Sequence, residues 1–127
     1  MKSFVATEMA PAALGCYSQA VVADNTLYLS GQIGLDPSTG QMMSDTFEGQ
    51  LNQIFTNIAS VLQAAETDLN QVIKLTVYLK NFAEDYAKLD DVMQSFFEAP
   101  FPARTTIGVS ALPRNALVEV DAIAVIE

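Results

Sequence analysis

Arg104 is one of only two arginines in 127 residues, and it opens a strand-like run, Arg104-Thr105-Thr106-Ile107-Gly108-Val109. Alternation along a strand turns Arg104, Thr106 and Gly108 to one face. A second run, residues 117–126, is apolar and largely β-branched except for two carboxylates, Glu119 and Asp121. A guanidinium and carboxylates in such surroundings pair with one another or hold something polar between them. Arg104 has the planar fork that grips a carboxylate or phosphate bidentately; the plainer reading is a structural ion pair at a strand end. Glu119 is a candidate general base or water holder, its protonation tunable by burial, or else a polar residue on a solvated strand face. Thr106 offers a hydroxyl on the Arg104 face, although threonine also simply favours strands. Tyr17 is a candidate pocket wall or an ordinary core aromatic. Ser30-Gly31 either exposes backbone to a ligand, because glycine permits close approach, or merely ends a strand.

Composition narrows the chemistry. The chain has no histidine, so no Ser-His-Asp or Cys-His arrangement can form, and zinc loses its commonest ligand. No metal site is expected. Acid–base work falls to carboxylates, Tyr, Lys or held water. Six cations against fifteen carboxylates give a net charge of −9, which repels phosphate backbones and anionic membranes; neither nucleic acid nor membrane is an expected partner. The single cysteine, Cys16, rules out an internal disulfide and fits a reducing, cytoplasmic setting. With no histidine and net negative charge around it, nothing evident lowers its pKa, and Cys16 reads as a small buried apolar residue. No signal core and no run of transmembrane length is present. Residues 1–127 read as one domain, long enough to bury a core without disulfides or metal.

The elements that must position these groups follow from periodicity. Residues 2–6 are a weak strand, followed by a loop marked by Pro11 and Gly15. Residues 17–22 and 26–30 read as strands joined by a turn at Ala23-Asp24-Asn25. Asp45 and Glu48 form a capping-box pattern ahead of a helix whose apolar face is Phe47, Leu51, Ile54, Phe55, Ile58, Val61, Leu62 and Ala65. Next comes period two: Ile73, Leu75, Val77 and Leu79 to one side, Lys74, Thr76, Tyr78 and Lys80 to the other. Asn81 and Glu84 repeat the capping pattern before a second helix with Tyr86, Leu89, Met93, Phe96 and Phe97 buried, stopped by Pro100 and Pro102. Two strands finish the chain. The fold class is α+β, a mixed sheet with two helices on one face. The other face then needs cover, and a partner subunit is the natural source.

Three segments carry a resemblance. They are Ala10-Pro11-Ala12-Ala13-Leu14-Gly15-Cys16-Tyr17-Ser18-Gln19-Ala20-Val21; Ser30-Gly31-Gln32-Ile33 with Asp36-Pro37-Ser38-Thr39-Gly40; and Pro102-Ala103-Arg104 through Leu112-Pro113 to Val118-Glu119-Val120-Asp121-Ala122-Ile123-Ala124. Together they closely resemble the Rid family of reactive intermediate/imine deaminases, formerly the YjgF family, some members of which are described as translation inhibitors or endoribonucleases. The arginine-bearing C-terminal signature points to the RidA-type branch. The resemblance implies a chorismate-mutase-like fold assembled as a homotrimer with clefts between subunits. It also implies cofactor-independent hydrolysis of 2-iminobutanoate and 2-iminopropanoate, released by pyridoxal-phosphate enzymes, to 2-oxo acids and ammonia. By position, Arg104 would hold the substrate carboxylate, Glu119 would orient the attacking water, and Tyr17, Ser30 and Gly31 would line the cleft. Three positions depart from the family pattern: Cys16 stands where proline is frequent, Thr106 where cysteine is common, and Asp90 where asparagine is common. A carboxylate at Asp90 would repel an anionic substrate. The competing reading is a non-catalytic trimer that senses 2-oxo acids through the Arg104 pocket; a ribonuclease is disfavoured by the charge and the missing histidine.

Overall fold

The computed structural model describes residues 2–126. Its frame is one six-stranded sheet. The strands are β1 (Lys2–Val5), β2 (Ala20–Ala23), β3 (Thr26–Gln32), β4 (Val72–Leu79), β5 (Ala103–Gly108) and β6 (Val118–Val125). Their spatial order is β1-β2-β3-β6-β4-β5, with β1 and β5 at the two edges. Every pairing is antiparallel except β4 with β5, which is parallel. The C-terminal strand β6 is central, which suits its near-continuous apolar sequence; alternate residues Val118, Val120, Ala122 and Ala124 are buried.

The helices lie on one face. α1 (Phe47–Ala64) buries Leu51, Ile54, Phe55, Ile58, Val61 and Leu62 against Leu27, Leu29, Leu75, Val77, Val118 and Val120 of the sheet. Its N-cap is Thr46, whose hydroxyl accepts from Gly49 N, and not the expected Asp45. Residue Thr46 has the extended backbone that a cap requires, one position later than the pattern suggested.

The second helix is not continuous. It runs as α2 (Phe82–Asp85), a 3₁₀ turn Tyr86–Lys88, and α3 (Leu89–Met93). Asn81 makes no side-chain cap. The tighter 3₁₀ winding rotates Tyr86 out of the expected buried stripe; it is exposed and stacks on Phe82 at 5.0 Å. Leu89, Met93 and Phe97 are buried as expected, and Phe97 meets Phe55 edge-on at 5.2 Å.

Two further expectations are corrected. The strand expected over 17–22 begins only at Ala20, because Gln19 is committed elsewhere, as described below. Ile73 does not share the inward face of Leu75, Val77 and Leu79: Val72 and Lys74 oppose adjacent residues Ala124 and Ile123, so Ile73 is the extra residue of a bulge and is exposed.

The face away from the helices is uncovered. Phe4, Val21, Tyr28 and Ile123 form one row across β1, β2, β3 and β6 by register. Phe4, Tyr28 and Ile107 are all exposed. Polar groups share this face: Tyr78 donates to Asp121 Oδ2 at 2.7 Å, and Lys74 donates to Thr105 at 2.9 Å. The Tyr78 phenol is pushed up to about 12, first by that hydrogen bond, then by burial and by the charges of Asp121 and Glu119.

Candidate functional site

The first half of the site is a cleft of about 500 Å³ on the uncovered face. Its floor is a bulge in β3. From Leu29 to Gln32 the strand advances three residues while β6 advances two, Ala122 to Val120. Leu29 and Gln32 both stay buried, so Ser30 and Gly31 both fall on the open side. Ser30 is held there: its hydroxyl donates to Ser18 O at 2.6 Å and its amide to Gln19 O at 3.0 Å. Gly31 leaves room for Glu119, whose carboxylate lies directly over it; a Cβ on Gly31 would collide with Oε2 and sit 3.0 Å from Cδ. No larger residue fits without moving that carboxylate.

Glu119 titrates above the ordinary glutamate range. Burial is the main cause, and the neighbouring charge of Asp121 adds to it. A carboxylate so placed is a stronger proton acceptor at neutral pH than a solvated one.

The wall of the cleft is the loop that carries Pro11, Leu14 and Tyr17. Gln19 pins that loop. Its Nε2 donates to Thr7 O at 3.1 Å and Pro11 O at 2.7 Å, while its Oε1 accepts from Thr7 N at 2.7 Å. With Gln19 committed to that loop, the strand starts at Ala20, three residues later than expected. Tyr17 is exposed at the cleft edge, a pocket wall and not a core aromatic. The opposite lip holds Pro113 and Arg114.

Arg104 is not in this cleft. In the parallel register Arg104 lies beside Leu75, Thr106 beside Val77 and Gly108 beside Leu79, and those three neighbours are buried under the helices. Arg104, Thr106 and Gly108 do share a face, as alternation requires, but it is the helix face. Glu119 alternates with buried residues of β6 and so faces the other way. The expected pairing of Arg104 with the carboxylates of β6 is therefore absent: the sheet separates them. Arg104 Nη1 instead donates to Asp90 Oδ1 at 2.7 Å and touches Met93 Sδ at 3.2 Å. With Phe101 and Pro102 these residues line a second cleft of about 360 Å³ beside edge strand β5.

The sequence-derived site residues thus separate into two half-sites. Tyr17, Ser30, Gly31 and Glu119 form one; Arg104 and Asp90 form the other, with Thr106 on their face but lining neither cleft. Arg114 escaped the sequence reading. Its backbone is left-handed, φ 56°, and so is that of Asn115, φ 57°. Such conformations cost a non-glycine residue roughly 1–3 kcal/mol each and persist where the surroundings enforce them. Its signal was its rarity, as the second arginine of a strongly acidic chain. Among the described residues no three His, Cys, Asp or Glu side chains group to hold a metal, and no helix is long and apolar enough to cross a membrane.

Comparison with known proteins places this geometry. Residues 7–126 match the family model described as Endoribonuclease L-PSP. The 2-iminobutanoate/2-iminopropanoate deaminase of Dermatophagoides farinae is 44% identical over 126 residues, covering 99% of this chain and 98% of that protein. The chain belongs to the Rid family. Among solved structures, RidA from an Antarctic Psychrobacter superposes with a TM-score of 0.93 at 41% identity, covering 98% of this chain and 99% of that one. TdcF of E. coli, solved with bound serine, gives 0.92 at 31% identity, covering 98% and 99%. The chorismate-mutase-like sheet with helices on one face is the fold found. In this Rid protein the departures from the family pattern fall at informative places. Cys16 is exposed and not buried as expected, because the segment ahead of Ala20 is a surface loop and not a strand, and Asp90 is the direct partner of Arg104.

Proposed function

We propose that this protein is a cofactor-independent imine deaminase of the RidA type, active as a homotrimer in which the two half-sites of neighbouring copies face each other. The observation that carries the reading is the seat of Glu119: a half-buried carboxylate with a raised pKa, fixed over Gly31 in a cleft open to an incoming ligand. The uncovered sheet face, with exposed Phe4, Tyr28 and Ile107, supports assembly, since a second copy would bury it. Assembly would also bring Arg104 to the side of Glu119, which the sheet prevents within one chain. Arg104 stands on edge strand β5, which among the described residues pairs with no strand on its outer side, and it can enter a cleft between copies. Several relatives, including those of Bos taurus and Mus musculus at 42% identity, bear the name 2-iminobutanoate/2-iminopropanoate deaminase.

In this reading Arg104 of one copy grips the substrate carboxylate. Glu119 of the next copy accepts a proton from water as its oxygen attacks the imine carbon. The C=N double bond becomes a single bond and the nitrogen is protonated. That proton comes from Glu119 and leaves a neutral carbinolamine. Glu119 then takes the hydroxyl proton and passes it to the nitrogen as the C–N bond breaks, so ammonia leaves and the carbon keeps the water oxygen as the carbonyl of a 2-oxo acid. The imine carbon is already electrophilic, so positioning and charge complementarity are enough. The polar walls at Ser30 and Gly31 orient the reacting end, and Tyr17 closes the side. A net charge of −9 opposes nucleic-acid binding, which weighs against ribonuclease action.

The test is a coupled assay with a threonine dehydratase, following 2-oxobutanoate release with and without this protein. Faster release supports the reading. An unchanged rate across a range of protein concentrations rejects it.

A further inference from the structure

We propose that Arg114 is a second anion-recognition point in the Glu119 cleft and gives it a preference for substrates whose side chain ends in a carboxylate. The imines of acidic amino acids are the class it fits. The inference rests on the reading of that cleft as an imine site and adds a substrate preference to it.

Arg114 lines the same cleft as Glu119 and Gly31, while much of the remaining wall is apolar, including Pro11, Leu14 and Ile33. The two charges do not meet: among the described residues the ion pairs are Lys88 with Asp85 and Arg104 with Asp90. Carboxylates outnumber cations fifteen to six in this chain, and still, among the described residues, this guanidinium has no carboxylate partner. A single N–H of Arg114 is used, Nη2 donating to Gly40 O at 3.2 Å. The guanidinium has five N–H donors in a rigid fork, and the remainder suit a bidentate carboxylate.

The position is enforced. Arg114 and Asn115 are consecutive left-handed residues in a 3₁₀ turn, Pro113–Asn115. Lys80 Nζ donates to Asn115 Oδ1, and the amides of Asn115 and Ala116 bond back to Leu112 and Pro113 at 3.2 and 3.1 Å. Gln50 Oε1 accepts from Leu117 N at 2.9 Å immediately beyond. A turn held this firmly fixes the Arg114 backbone on the lip, and the bond to Gly40 O orients its exposed side chain. The cleft thus presents a proton acceptor at its floor and a cation at its rim, separated by apolar wall. A substrate with its imine carbon at Glu119 and a carboxylate at the far end of its side chain satisfies both.

The experiment compares wild type, Arg114→Gln and Arg114→Lys on two imines made in situ by an amino-acid oxidase, one from 2-aminobutanoate and one from glutamate. Calorimetry with 2-oxobutanoate and 2-oxoglutarate runs alongside. In Arg114→Gln the kcat/KM ratio of the dicarboxylic to the monocarboxylic imine should fall at least about tenfold, with Arg114→Lys intermediate. The ratio of the two dissociation constants should move the same way. An unchanged ratio overturns the proposal, whether both substrates are lost together or neither is. So does a lowered melting temperature or altered oligomer size in Arg114→Gln with an unchanged ratio, because Arg114 would then be holding the Gly40 loop or a neighbouring copy. If wild type turns over neither imine, the deaminase reading fails. The binding ratio still judges Arg114 on its own.

Discussion

The carboxylate of Glu119 rests on Gly31, and the missing side chain of Gly31 is what makes the seat. The first expectation follows directly. In Gly31→Ala the new methyl must displace the far end of a flexible side chain and not the backbone, so folding should be nearly untouched. The carboxylate, however, leaves its position over the cleft floor. We expect kcat/KM to fall at least about tenfold while the melting temperature shifts by no more than about 2 °C. Thermal melting and imine hydrolysis on one preparation check both, and full activity would separate the seat from catalysis.

Arg104 and Asp90 give the second. Their ion pair spans 2.7 Å, but the Asp90 side chain is 70% exposed and that of Arg104 22% exposed. An ion pair with one partner so open to water contributes only about 0–1 kcal/mol to stability. Arg104→Ala should therefore melt close to wild type and lose at least about tenfold in kcat/KM, since a charge-assisted bond is worth roughly 1.5–3 kcal/mol. Arg104→Lys keeps the charge without the fork and should recover only part of it. Asp90→Asn keeps an acceptor oxygen and removes the charge that competes with the substrate carboxylate; KM should drop about threefold or more. A steep loss of stability in Arg104→Ala, or a raised KM in Asp90→Asn, would contradict these roles.

The parts of this protein legible in the sequence are those set by local periodicity. The stripe of α1 and the alternation of β6 are regular over many residues, so burial followed the pattern. Irregular steps were not legible. A bulge of one residue turned Ile73 outward, and one 3₁₀ turn released Tyr86, because counting by two or by 3.6 assumes an unbroken element. Candidate site residues could be named from the sequence, but their separation into two clefts could not. Which face Arg104 occupies depends on β5 pairing parallel to β4 and on the helices covering that side, both long-range facts. Arg114 was passed over because it sits in a loop, where no period marks a position as special.

The raised pKa of Glu119 sets a pH dependence with a definite sign. Burial, then the charge of Asp121, favours the protonated form in the folded protein. The native state binds this proton more tightly than the unfolded chain does. The stability associated with it is therefore complete below the ordinary glutamate pKa and is lost as pH rises through the elevated value. In the proposed mechanism activity needs the ionised form and runs the other way. The acid limb of kcat/KM should lie above the ordinary glutamate range. Asp121→Asn should move it down by removing the like charge, and Glu119→Gln should abolish it while raising the melting temperature at neutral pH. A limb in the ordinary range, unmoved by Asp121→Asn, would contradict this.

The separation of Arg104 from Glu119 by the sheet allows a decisive test of a shared site. Arg104→Ala and Glu119→Gln should each be inactive alone. If a working site takes Arg104 from one copy and Glu119 from the next, a mixed oligomer contains interfaces where an intact Glu119 of the first variant meets an intact Arg104 of the second. Random assembly of an equal mixture makes half the Glu119 sides and half the Arg104 sides intact, so about a quarter of the clefts should work. Co-refolding the two variants should then restore about a quarter of wild-type activity, and mixing them without exchange of subunits should restore none. Light scattering on the refolded sample should give three chains per particle. A site built within one chain cannot be rescued in this way, because every copy in the mixture lacks one of the two groups; failure of rescue in a properly sized oligomer would place Arg104 outside the reaction.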